Sequence, residues 1–169
     1  YLIGFEGLLI LDADALNRIS ESKLGANFFL ERKFKTWITP HPKEFQRLFP
    51  NIECETNVGL ALKAAKNFNI SILLKGANSI IADNKNAWQL FGTDSQTARA
   101  GLGDLLSGFV AGSSSIDLTF CRNITTDFFA KYVLLHSFAA SKCRNGSNPS
   151  AIGDSLSKLM RNKKMRQIS

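Results

Sequence analysis

The sequence predicts an α/β fold in which a largely parallel sheet is layered against helices. Three short, continuous apolar runs each end at a turn or a charged residue, as strands buried on both faces do. Segments with helical spacing separate them, and strands alternating with helices imply parallel pairing. The first run is Gly7-Leu8-Leu9-Ile10-Leu11-Asp12. The second, Lys35-Thr36-Trp37-Ile38-Thr39, is stopped by Pro40 and Pro42. The third, Ile70-Ser71-Ile72-Leu73-Leu74-Lys75, is ended by Gly76. Ser79-Ile80-Ile81-Ala82 and Ala87-Trp88-Gln89-Leu90-Phe91 flank the polar Asp83-Asn84-Lys85-Asn86, which predicts an antiparallel hairpin.

Helices fill the rest. Val58, Ala61, Leu62, Ala65 and Phe68 mark one apolar face, so a helix is expected over residues 56–68. Leu102, Leu105, Leu106, Phe109 and Val110 follow the same spacing, as do Phe128, Tyr132, Leu135, His136, Ala139 and Cys143. A last helix is expected to open at Asn148 as N-cap with Pro149 in its first turn, burying Ile152, Leu156, Leu159 and Met160. Gly112-Ser113-Ser114-Ser115 reads as a loop.

A chain of 169 residues is expected to form a single domain spanning 1–169. Tyr1-Leu2-Ile3-Gly4 has no Met and no signal-peptide pattern and runs into a strand almost at once, so an upstream part of the domain is expected to be missing. No apolar run approaches the roughly 18 residues of a membrane span, so no membrane partner is expected. The net charge is +7, but seven of the 21 basic residues lie from Lys142 onward, most of them in a tail. The others lack the aromatic interleaving of a single-strand groove, so no nucleic-acid partner is expected. Cys54, Cys121 and Cys143 are odd in number and form no CxxC, which argues against structural zinc and a disulfide framework and suits the reducing cytoplasm.

Four constellations can carry chemistry. In Thr97-Ala98-Arg99-Ala100-Gly101-Leu102-Gly103-Asp104, two glycines allow positive φ and close backbone approach, and the helix behind them offers free N–H groups to an anion. Asp104 is either a base that takes a proton from an attacking hydroxyl or a first-turn acid complementing the helix dipole. In Thr39-Pro40-His41-Pro42-Lys43-Glu44, His41 and Glu44 meet near a helix start, as site residues or as an exposed loop residue and a helix-start acid. Asp12-Ala13-Asp14 either holds Mg²⁺ through water or uses Asp14 as an N-cap. Lys75-Gly76-Ala77-Asn78-Ser79 ends a strand with a cation and a glycine that leaves a ligand room. His136 lies on an apolar stripe and is expected to be a hydrogen-bonded core histidine. No Walker loop and no G-x-G-x-x-G fingerprint is present.

Leu11-Asp12-Ala13-Asp14-Ala15-Leu16, Thr39-Pro40-His41-Pro42-Lys43-Glu44, Leu74-Lys75-Gly76-Ala77 and Gly101-Leu102-Gly103-Asp104, in that order, resemble the ADP/ATP-dependent NAD(P)H-hydrate dehydratases of the ribokinase-like superfamily. Related kinases share a Gly-x-Gly-Asp turn, but they usually carry Asn where His41 stands. The resemblance implies a ribokinase-like layered fold and a repair reaction: the hydroxyl of hydrated NADH or NADPH is phosphorylated from ADP or ATP, and phosphate then leaves. It implies Asp104 as the catalytic and substrate-contacting residue, and Gly101, Leu102 and Gly103 as the anion hole. By the same match, Lys75, Gly76, Ala77, Asn78, Ser79 and Gly103 bind nucleotide. His41 binds substrate, and Glu44 organises Mg²⁺ through water. Small-molecule nucleotides and further copies of the chain are the expected partners, with an N-terminal epimerase domain on some family chains. Leu102 stands where the family usually has Thr or Ser, Lys43 where it has Gly, and residues 93–98 keep only Ala98 of the usual run. A ribokinase-like kinase of a small alcohol or vitamin precursor, and a non-catalytic nucleotide-binding homologue, remain as alternatives.

Overall fold

The computed structural model describes residues 1–91, 101–121, 123–143 and 148–161. The chain divides into two compact units, Tyr1–Phe91 and Gly92–Ser169.

The first unit holds one five-stranded sheet in the order β1 (Leu9–Leu11), β2 (Thr36–Ile38), β3 (Ser71–Leu74), β4 (Ile80–Ala82), β5 (Ala87–Gln89). β1, β2 and β3 are parallel, with Leu9 opposite Thr36 and Ile38 opposite Ile72. β4 runs antiparallel to β3 and to β5, closing the expected hairpin. Each strand is shorter than its apolar run, because the run's ends feed the turns. Helices α1 (Ala13–Glu21), α2 (Asn27–Leu30), α3 (Pro42–Leu48) and α4 (Asn57–Phe68) share one core with Leu11, Ile38, Ile72, Leu74, Ile80 and Ala82, alternate residues that point to one face of the sheet. Trp37, Leu73 and Ile81, on the opposite face, are buried as well. That double burial explains why the strands read as continuous apolar runs rather than alternating ones.

Local chemistry sets the helix ends. Thr56 caps α4 by accepting from the Gly59 N–H at 3.1 Å, and Asn69 ends it in the left-handed conformation at φ 51°. The face of α4 is centred on Ala61, Ala64 and Ala65, with Val58, Leu62 and Phe68 half-buried. The four-residue α2 and a 3-10 turn over Leu2–Gly4 leave no periodic signal and were not expected.

The second unit is helical: α5 (Leu102–Phe120), α6 (Thr126–Lys142) and α7 (Pro149–Arg161). α5 corrects the expected loop at Gly112-Ser113-Ser114-Ser115, since the helix runs straight through it. Ser113 and Ser114 are buried, and the Tyr132 hydroxyl of α6 donates to Asp117 of α5 at 2.5 Å, pinning the far half of the helix. Packing of this kind outweighs the serines' weak preference for turns. On α6 the core face includes Phe129 rather than Phe128, together with Tyr132, Leu135, His136 and Ala139. α7 opens as expected, with the Asn148 side chain accepting from the Ala151 N–H at 3.0 Å. It buries Ile152 and Leu156 against Leu135, Ala139 and Ala140, with Leu159 half-buried against the same cluster, but leaves Met160, at the end of the expected stripe, exposed.

Candidate active site

At the carboxyl ends of β1, β2 and β3 the first unit gathers three of the four expected constellations, the place where open α/β sheets bind ligands. Asp12 ends β1 and Lys75 ends β3. Lys75 Nζ donates to Asp12 Oδ1 at 2.8 Å, a pair that is 27% and 12% exposed at the side chains. The Lys75 N–H donates to the Pro40 carbonyl at 2.9 Å, which fixes the same lysine against the exit of β2.

Asp12, not Asp14, is the N-cap of α1, and its Oδ1 accepts from the Ala13 N–H at 2.9 Å. The chain achieves this by placing Ala13 at φ 46°, in the left-handed region that non-glycine residues rarely occupy. Asp14 is exposed in the first turn. The two carboxylates therefore do not form a pair: one is held by a lysine and the other faces solvent. Among the described residues no group of three or more His, Cys, Asp or Glu side chains is placed to hold a metal ion.

His41 and Glu44 do meet, in a reciprocal cap at the start of α3. His41 Nδ1 accepts from the N–H groups of Lys43 at 3.1 Å and Glu44 at 3.3 Å. Glu44 Oε2 in turn accepts from the His41 N–H at 2.7 Å. A ring nitrogen that accepts carries no proton, so the ring hydrogen sits on Nε2, 3.4 Å from Glu44 Oε1. Glu44 is only 5% exposed, which such pairing makes tolerable. The expected alternatives merge here: Glu44 is a helix-start acid, and it also holds the half-exposed imidazole.

Lys75 to Asn78 line a hollow of about 430 Å³, together with Pro42, Thr56, Asn57 and Gln89. Gly76 has open space where a Cβ would stand. The turn is closed by Ser79, whose Oγ accepts from the Gly76 N–H at 3.3 Å and donates to the Gly76 carbonyl at 3.1 Å. Thr56, Asn57 and Gln89 were not expected at a site. The helical spacing over 56–68 and the hairpin pattern around Gln89 placed their elements, but neither reports the lysine turn they face.

In the second unit, Gly101 is the N-cap of α5 at φ 83°, a conformation that favours glycine. Its carbonyl accepts from the Leu105 N–H at 3.0 Å. Among the described residues no side chain caps this end. The helix start therefore presents backbone donors in the manner of an anion site. Asp104 is exposed in the first turn, at the edge of a hollow of about 500 Å³ lined by Leu105, Phe109, Gly112, Leu156 and Met160. Asp94 and the rest of residues 92–100 lie outside the described residues. His136 is buried as expected, at 8% exposure; among the described residues its Nε2 meets no hydrogen-bond partner, and burial pulls its pKa down to about 4. The Tyr132 phenol is pushed well above its usual range by burial and then by Asp117.

The sequence pattern of the NAD(P)H-hydrate dehydratases matches residues 4–160. The chain belongs to the NAD(P)H-hydrate dehydratase family. A bifunctional NAD(P)H-hydrate repair enzyme Nnr of Gloeobacter violaceus is 39% identical over 105 residues, covering 62% of this chain and 20% of that protein. Among solved structures, a ribokinase-like superfamily protein of Enterococcus faecalis is 26% identical with a TM-score of 0.75, over 94% of this chain and 53% of that one. The Bacillus subtilis ADP/ATP-dependent NAD(P)H-hydrate dehydratase, co-crystallised with ATP and Mg²⁺, has a TM-score of 0.72 at 22% identity, over 97% of this chain and 57% of that one. The fold is ribokinase-like. This dehydratase-family chain thus spans about a fifth of the length of the curated relative and just over half that of the solved structures.

Proposed function

We propose that this chain carries out ADP- or ATP-dependent dehydration of hydrated NADH or NADPH. The observation that carries the reading is the start of α5, where Gly101 at φ 83° turns the chain so that backbone donors and the Asp104 carboxylate occupy one helical turn. In the first step the hydroxyl of the hydrate attacks the terminal phosphorus of the nucleotide. Asp104 takes the hydroxyl proton as the new P–O bond forms and the bridging P–O bond breaks, releasing the shortened nucleotide. The phosphate then departs with the C–O electron pair, the neighbouring carbon loses a proton, and the ring double bond returns. Gly101, Leu102 and Gly103 are the proposed anion hole, supplying backbone N–H groups aimed at charge that develops on the phosphoryl oxygens. Leu102 costs the hole a hydroxyl but leaves its amide in place.

Lys75, Gly76, Ala77, Asn78 and Ser79 are the proposed nucleotide contacts of the first unit, and Gly103 that of the second. A phosphate at Lys75 competes with Asp12 for the ammonium group. His41 is the proposed substrate contact, through its half-exposed imidazole. Mg²⁺ supplies charge neutralisation when bound with the nucleotide. Glu44 is the residue proposed to act on such an ion, through water. Tail basicity plays no part in the reading. The bifunctional Gloeobacter violaceus relative supports a second repair activity on a longer chain, for which an epimerase domain is the proposal.

The test uses hydrated NADH, ADP or ATP, and Mg²⁺, and follows the return of reduced-nicotinamide absorbance. Asp104→Asn is expected to lower the rate by about 100-fold or more. Unchanged turnover in that variant would remove Asp104 as the base, and a stable phosphorylated alcohol without absorbance return would place the chain with the kinases.

A further inference from the structure

The outward face of α3 carries Pro42, Lys43, Gln46 and Arg47, all exposed. Lys43 and Arg47 are four residues apart, so they are neighbours on that face, with about 6 Å between their Cβ atoms. Among the described residues neither head group pairs with a carboxylate or bonds to another acceptor. Like charges at this spacing weaken a helix, and Lys43, in the first turn, also opposes the helix dipole. Glu44 gives no relief, because its carboxylate is turned to His41. Two cations kept at a local cost, without a counter-charge, mark a place for an anion from outside the chain.

What lies at each end of this basic edge says which anion. At the start of α3 the Lys43 N–H donates to His41 Nδ1 at 3.1 Å, which ties the lysine to the imidazole proposed to contact substrate. At the far end Arg47 stands on the rim of a hollow of about 260 Å³, shared with Ser20, Asn27, Phe49, Asn51 and Phe68. His41 and Arg47 are six residues apart, about 9 Å along a helix axis. The Phe49 and Phe68 rings, with centroids 4.9 Å apart, give the hollow an apolar wall, and Asn27 and Asn51 add amide donors and acceptors. An apolar wall with a few amides is the lining that a heteroaromatic base needs.

We infer that Lys43 and Arg47 bind the 2′-phosphate of hydrated NADPH, with its adenine seated in the hollow beside Arg47. A phosphate monoester is close to dianionic at neutral pH and so matches two adjacent cations, whereas each phosphorus of the pyrophosphate bridge carries one charge. Arg47 contributes the planar fork that fits phosphate oxygens, and Lys43 a mobile point charge. The chain is then selective for hydrated NADPH over hydrated NADH. Because Lys43 stands where the family usually has Gly, that selectivity belongs to this chain rather than to the family. The inference deepens the proposed function and rests on its substrate class, but not on the chemistry assigned to Asp104.

The test is calorimetric binding of hydrated NADPH and hydrated NADH to the native chain without ADP or ATP, so that nothing turns over. Hydrated NADPH is expected to bind about tenfold more tightly, the size of one charge-assisted contact. Lys43→Gln and Arg47→Gln should each weaken hydrated NADPH by about tenfold and leave hydrated NADH within about twofold. Both relieve a like-charge pair, so the circular dichroism and the thermal midpoint should hold. Lys43→Arg should keep the preference. Adenosine 2′,5′-bisphosphate should compete with hydrated NADPH and shift the side-chain amide signals of Asn27 and Asn51 by NMR. Equal losses for the two hydrates overturn the 2′-phosphate assignment in favour of the pyrophosphate, and unmoved amide signals overturn the seat in the hollow. Unchanged binding of both hydrates by the variants overturns the inference alone, whereas a native chain that binds neither removes the proposed substrate with it.

Discussion

Acidification should weaken the helical unit through His136. The imidazole is buried on α6, its Nε2 meets no partner among the described residues, and burial lowers its pKa from 6.5 to about 4. Between those values the folded ring is neutral while the unfolded ring is protonated, so the unfolded state binds the extra proton. Stability then rises with pH through this window, is complete above about 6.5, and is lost progressively as the pH falls toward 4. A gap of about 2.5 units corresponds to about 3 kcal/mol over the whole window, and to about 2 kcal/mol between neutrality and pH 5. The assay is urea unfolding of the native protein and of His136→Leu at a series of pH values from 7.5 to 4.5, read by circular dichroism. Other titrating groups cancel in the difference between the two. The leucine variant is expected to be at least as stable at pH 7, since it removes an unpaired polar atom, and to gain a further ~2 kcal/mol relative to the native chain by pH 5. A difference that stays constant across the series refutes the argument, as does an imidazole that titrates near 6.5 by NMR in the folded protein.

Two further substitutions probe the site. Gly101→Ala forces a left-handed alanine at φ 83° and sets its Cβ 3.2 Å from Pro149 Cγ. It is expected to cost about 1–2 kcal/mol by thermal unfolding and to weaken nucleotide binding by calorimetry; an unchanged midpoint would count against the turn's geometry. Lys75→Met leaves Asp12 without its ammonium partner, and at this partial exposure the stability loss should be about 1 kcal/mol. Its larger effect should be on the KM for nucleotide rather than on kcat, and equal effects on both would argue for a role in the chemical step.

Much of the first unit was legible because its strands are buried on both faces and so announce themselves as apolar runs between turn residues. The hairpin, the Asn148 cap with Pro149, and the gathering of Asp12, His41 and Lys75 at one end of the sheet follow from local rules. Long-range pairing does not. Asp12 and Lys75 are 63 residues apart, and no periodicity reports that they meet. Likewise the choice of Asp12 over Asp14 as cap depends on Ala13 adopting a left-handed turn, for which alanine carries no signal. Gly112 to Ser115 misled because residues with turn preference become helical where small side chains suit the packing and Tyr132 anchors Asp117. The stripe containing His136 foretold burial, but a stripe says nothing about what lies opposite each nitrogen. The Gly101 turn was visible from its two glycines, whereas the place of β1 at the end of the strand order could be seen only in the structure.

The left-handed Ala13 has a mechanical consequence. A glycine there would relieve about 1 kcal/mol of strain but would open a wide range of backbone angles. Alanine in the same well has little angular latitude, so the peptide leaving β1 behaves as a stiff bracket and the Asp12 carboxylate cannot drift. Lys75 is the long, flexible partner, and a pair with one rigid member responds to a competing anion by moving only the other. A phosphate arriving near the end of β3 would thus meet the like charge of Asp12 at a constant address, and the lysine stem alone would swing toward the newcomer.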